Sequence, residues 1–98
     1  MNEEYRPFTT FWDDFSIAER FGKAAIKDTL KRAWDAWKGE YKYLTELVMT
    51  LNWKSFEWYG KGREDLCELY SELWLEKDAW MLDNLEGEAK EYYITITD

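Results

Sequence analysis

The sequence predicts an all-α fold: a compact helical bundle of three long helices plus a short N-terminal helical element, closed round an aromatic-rich core. Three observations carry this. Residues 40–59, EYKYLTELVMTLNWKSFEWY, are apolar on most sides when laid on a helix at ~100° per residue, which is the mark of a helix with others packed round it. The flanking stretches 23–38 and 63–85 repeat apolar residues at helical spacing and are set off by glycines. Seven Trp, seven Tyr and five Phe in 98 residues supply the large side chains that so short a chain needs for a core.

Taken in order, residues 1–9 read as a loosely held arm, with Pro7 pushing Arg6 towards extended geometry. Thr9 or Thr10 can cap a short turn through Phe11, Trp12 and Phe15. Ser16-Ile17-Ala18-Glu19 fits a capping box, in which hydroxyl and carboxylate reciprocally satisfy free backbone N–H groups. Gly22 ends or kinks that turn. In the first long helix, residues 23–38, one face carries Ile26, Leu30, Ala33, Trp34 and Trp37. Gly39 either breaks the chain there or sits in a bend of one continuous helix.

The central helix divides into sectors. Tyr41, Leu44, Leu47, Val48, Leu51, Ser55, Trp58 and Tyr59 fall within about 120°. Met49, Trp53 and Phe56 make a second apolar sector, with Thr45 and Asn52 between. Glu46, Thr50, Lys54 and Glu57 are left as a narrow stripe for water. Gly60-Lys61-Gly62 is a turn that makes the next helix antiparallel to this one.

The third long helix starts near Arg63, its first turn holding Glu64 and Asp65 at the positive end of the dipole. Leu66, Leu69, Tyr70, Leu73, Trp80 and Met81 line its inner face. Lys77 falls there too, its stem packing and its amine reaching out. The helix stops by Gly87. Residues 87–98 form a tail that reads either as a short helix or as extended chain, because Tyr92, Ile94 and Ile96 alternate. The whole of 1–98 is expected to be one domain, without repeats.

Charge is distributed unevenly. Residues 1–62 hold ten acids and ten bases, whereas residues 63–98 hold eleven acids against Arg63, Lys77 and Lys90, so the whole net charge of −8 sits in the last third. This disfavours direct binding of nucleic acid or anionic membrane and favours a basic partner. The single cysteine, Cys67, and the absence of a basic-then-apolar leader lead to the expectation of a reducing, cytoplasmic setting. No apolar run approaches the ~18–20 residues that span a bilayer.

The stretches PFTTFWDDFSIAERFG and YKYLTELVMTLNWK resemble a family of small, uncharacterised acidic proteins encoded on phages and conjugative elements of gut bacteria. The resemblance implies a mobile-element setting and brings no catalytic motif with it.

For catalysis the chain offers little. It has no histidine, and so lacks the commonest general base and metal ligand. Cys67 lies in mid-helix without an activating partner and reads as a structural thiol. A glutamate pair working on a sugar held by tryptophans would need a cleft, and most of the tryptophans fall on core-facing positions. No phosphate loop, calcium loop or zinc spacing occurs, so no cofactor and no metal is expected.

The sharper feature is acidic. Glu64, Asp65, Glu68, Glu72, Glu76 and Asp83 occupy the side of the third long helix away from its apolar face, over ~28 Å of axis. As a solvated face these residues need no partner. As a functional face they imitate the phosphates of about eight nucleotides of one strand at ~3.4 Å each. Leu75 and Leu82 project to the same side, with Trp74 on its flank, as an apolar anchor inside a polar rim would. The candidate partner-binding residues are therefore Glu64, Asp65, Glu68, Glu72, Leu75, Glu76, Leu82 and Asp83. The functional expectation is a non-enzymatic nucleic-acid mimic, of the anti-CRISPR kind, that blocks the basic groove of a host nucleic-acid-handling protein. Lys23, Lys27, Lys31 and Lys38 form a basic ridge on the first long helix, with Arg32 elsewhere. That ridge reads as a solvated face or, pairing with the acidic face of a second copy, as a route to a homo-oligomeric accessory protein of the same element.

Overall fold

In the computed structural model, which describes residues 9–97, five helices follow one another: α1 (Thr9–Glu19), α2 (Lys23–Ala36), α3 (Tyr41–Gly60), α4 (Glu64–Asn84) and α5 (Gly87–Thr97). Of the expected arm, residues 1–9, all but Thr9 lies outside the described residues, Pro7 included. Thr9 is already helical, and Thr9 and Thr10 both lie within α1 rather than before it. The Cα radius of gyration is 13.4 Å, close to the ~13 Å of a compact chain of this length.

α3 is the centre: each of the other four helices packs against it. Its residues Leu47, Val48 and Leu51 are fully buried, and α1 adds Phe15, α2 adds Ile26, and α4 adds Tyr70 and Met81 to the same core. Phe15 meets Tyr70 edge-on at 6.0 Å, joining α1 to α4 through the core.

Glycine sets the ends. Gly39, at φ +93°, breaks the chain between α2 and α3, and Trp37 stacks on Tyr43 across that break at 4.1 Å. Of the two glycines in the next turn, Gly60 is helical and Gly62 takes φ +78°. Arg63 N–H bonds to Trp58 C=O at 3.0 Å and Gly62 N–H to Tyr59 C=O at 3.2 Å. That pair of bonds is the Schellman arrangement, which needs a left-handed residue at the Gly62 position. The turn folds α4 back along α3, where Ser55 and Ser71 share a 2.7 Å hydrogen bond.

Three expectations are corrected. α1 runs eleven residues without a break, so Ser16 and Glu19 form no capping box; both are interior to the helix or at its end, and they point at α3. The water stripe of α3 does not exist as such: Thr50 and Lys54 are buried, Glu46 and Glu57 half-buried, because α1 packs over that side. Thr50 tolerates this by donating its hydroxyl to Glu46 C=O at 2.7 Å, as Thr45 does to Tyr41 C=O. Conversely Trp53, Phe56 and Tyr59 are 52%, 62% and 76% exposed. Of the two forms open to the tail, the structure takes the helix, α5, with Tyr93 buried and Ile94 and Ile96 exposed. Tyr93 donates to Asp78 of α4, and Tyr92 meets Tyr41 edge-on at 5.6 Å.

Candidate interaction surface

α4 presents its acidic side to solvent as the sequence implies. Glu64, Asp65, Glu68, Glu72, Glu76 and Asp83 are all exposed, and so are Leu75 at 56% and Leu82 at 40%. Trp74, on the flank, is half-buried, and its indole N–H is enclosed without a hydrogen-bond partner.

The carboxylates do not form a straight row. Each four-residue step rotates by ~40° round the helix, so Glu64, Glu68, Glu72 and Glu76 sweep about 120° while rising ~18 Å. The two ends of this diagonal border different clefts. Glu64 and Glu68 flank one of about 460 Å³ with Trp58, Tyr59 and Cys67. Glu72 and Glu76 flank one of about 590 Å³ that separates α4 from α2. Asp65 stands apart electrostatically. The Arg63 guanidinium binds it through two hydrogen bonds of 3.1 and 3.0 Å and holds its carboxyl down to about 2. Its charge is therefore cancelled locally and adds little to the field of the face.

The basic ridge of α2 is exposed at Lys23, Lys27, Lys31 and Lys38. One member is paired on its own helix, Lys31 with Asp35 at 3.5 Å; Arg32, off the ridge, pairs with Asp28 at 2.9 Å. Lys27 and Lys31 form the wall of the larger cleft opposite Glu72 and Glu76. Lys77 departs from expectation. Its amine lies 4.6 Å from the Trp34 ring instead of reaching into water, and Trp80, 38% exposed, abuts the same ring edge-on at 5.2 Å.

A second polar constellation was not visible in the sequence. Lys54, 1% exposed, donates to Ser16 Oγ at 2.7 Å and Glu57 Oε1 at 3.1 Å, and lies 3.2 Å from Glu19 Oε2. Its amine is also 4.2 Å from the Trp12 ring. The same Glu19 oxygen accepts from Tyr70 OH at 2.7 Å and Trp58 Nε1 at 2.9 Å. Lys61 closes the chain on the outer oxygen of Glu57 at 3.1 Å. Burial pushes the Glu57 carboxyl up, but hydrogen bonds from Lys54 and Lys61 outweigh it and bring it below the ordinary range. Burial, then the bond to Glu19, drive the Tyr70 phenol far above its ordinary value. The cluster clasps α1 to α3 and α4. Its signal in the sequence was slight, since Ser16 and Lys54 are 38 positions apart.

Cys67 is half-buried, with its Sγ 3.8 Å from Ser55 Oγ. Among the described residues no group of three His, Cys, Asp or Glu is arranged to hold a metal ion, and no helix is long and apolar enough to cross a membrane. Compared with protein-family models, with curated proteins and with solved structures, the chain matches none.

Proposed function

We propose that the chain is a non-enzymatic interaction protein of a mobile genetic element. It docks the outer face of α4 into the basic groove of a host nucleic-acid-handling protein, such as a CRISPR nuclease, and blocks that groove to nucleic acid. The observation that supports this most is the company kept by Leu75 and Leu82. Both are exposed, among the described residues, beside Glu68, Glu72, Glu76 and Asp83, none of which takes part in an ion pair there. Carboxylates free of internal partners steer a basic surface into contact, and exposed leucines hold it once there. The diagonal run of the carboxylates suits a groove that wraps the helix better than a flat basic patch.

The test is competition. The partner is captured from host lysate, identified, purified, and its nucleic-acid binding titrated against the chain. Binding should be mutually exclusive with nucleic acid. Reversal of Glu68, Glu72 and Glu76 to Lys should slow association, whereas Leu75→Ala with Leu82→Ala should speed dissociation. A partner that holds nucleic acid and the chain at once would refute the proposal.

A further inference from the structure

α2 and α4 both rest on α3, and the cleft between them has walls of opposite charge. Lys27 and Lys31 stand on one wall, Glu72 and Glu76 on the other, over a floor that includes Leu30, Trp34 and Leu73. At about 590 Å³ the cleft is wide, and among the described residues no ion pair crosses it. Lys31 turns along its own helix to Asp35, an exposed pair worth little. Lys77, also on the border, is turned to the Trp34 ring. Two lysines and two glutamates thus face each other across a gap that neither side chain closes.

The geometry of the two walls matches. Each pair is four residues apart on a helix, so each spans ~6 Å of axis. A lysine wall of one molecule can therefore meet a glutamate wall of another in register. An isologous dimer requires one surface to carry both complementary halves, and this cleft does. A segment of one charge sign that filled the cleft between the two walls would be attracted by one and repelled by the other.

We infer that the α2–α4 cleft is a self-association surface. Two copies pack about a two-fold axis, Lys27 and Lys31 of each against Glu72 and Glu76 of the other, with half-buried Leu73 and part-exposed Trp80 giving apolar contact. The net charge of −8 on each copy opposes approach. At ~0.15 M salt the Debye length of ~8 Å screens that long-range repulsion while leaving contact pairs, so the dimer belongs to that range and weakens at ~1 M. Because the dimer covers Glu72 and Glu76, self-association and docking of α4 on another protein exclude each other. The inference does not depend on what that other protein is.

Sedimentation equilibrium with charge-swapped variants tests it. At ~0.15 M salt the wild-type chain should approach twice the 11.9 kDa protomer mass as concentration rises. K27E/K31E has two acidic walls and E72K/E76K two basic walls, so each alone should be monomeric. Mixed in equal amounts they should form a one-to-one dimer, since both contacts are then complementary and the pair carries the same total charge as two wild-type copies. Circular dichroism checks that each is folded. Should either reversal misfold, K27Q/K31Q serves instead and should lose self-association by losing attraction alone. A wild-type chain that stays monomeric, variants that still dimerise, or a mixture that stays monomeric overturns the inference.

Discussion

Removing Glu19 should loosen the whole N-terminal side of the molecule. Its Oε2 accepts from Tyr70 OH and Trp58 Nε1 and lies 3.2 Å from Lys54 Nζ, and the Lys54 side chain is 1% exposed. Glu19→Ala leaves the buried Tyr70 and half-buried Trp58 donors short of an acceptor and removes one of the two carboxylates that balance a buried ammonium. Breaking a buried pair by deleting one partner costs ~3–5 kcal/mol. A chain of this size has ~5–15 kcal/mol in total, so a third or more of its stability is at stake. Lys54→Met takes the buried charge away with its partner's need for it. Glu19 then keeps two neutral donors and Glu57 keeps Lys61, so the loss should be smaller than for Glu19→Ala. The double variant Glu19→Ala with Lys54→Met should be more stable than the sum of the single losses implies, by ~0.5–3 kcal/mol of coupling. Urea denaturation of all four species, read as free energies in water, measures this cycle. A loss under ~1 kcal/mol for Glu19→Ala, or strict additivity, would refute the view that the clasp holds α1 in place.

The remaining expectations are simpler. Leu51→Ala and Leu44→Ala, at 0% and 2% exposure, should each cost ~2–5 kcal/mol in the same assay, against less than ~0.5 kcal/mol for Lys38→Ala on the surface. Gly62→Val should cost ~1–2 kcal/mol or more because φ there is +78°, whereas Gly60→Ala, helical and facing open space, should gain ~0.5–1 kcal/mol. The depressed Glu57 carboxyl contributes stability that is complete above its unfolded value of 4.5 and is lost as pH falls through its lower folded value; Glu57→Gln should flatten part of that acid limb in pH-dependent melting. Tyr70 and Tyr93 are raised, so their contribution is intact below 10 and lost above it, and alkaline titration should destabilise Tyr70→Phe less than wild type.

What the sequence made legible follows from what periodicity can see. The three long helices emerged with ends within two residues, because glycines at 39 and 60–62 punctuate runs that repeat at helical spacing. The acidic face emerged as well, since opposition to Leu66, Leu69 and Tyr70 on one helix is a local property. Contacts between distant segments were hidden. Lys54 looked like a surface residue because its partners Ser16 and Glu19 lie on another helix, and Ser16 to Glu19 looked like a cap because the capping-box pattern is equally at home inside a helix. The tail was ambiguous for a different reason. Tyr92, Ile94 and Ile96 alternate, but Ala89, Tyr93 and Thr97 recur at four-residue spacing, and it is Tyr93 that is buried, donating to Asp78. The same limit applies to the charged surface. From the sequence, the lysines of α2 and the glutamates of α4 were two separate ridges on two helices. Packing both helices on α3 sets Lys27 and Lys31 across one cleft from Glu72 and Glu76. That juxtaposition alters the meaning of the acidic face: its far end, Glu64 and Glu68, borders a different cleft, whereas Glu72 and Glu76 sit where a second copy and a foreign basic groove would compete for the same carboxylates.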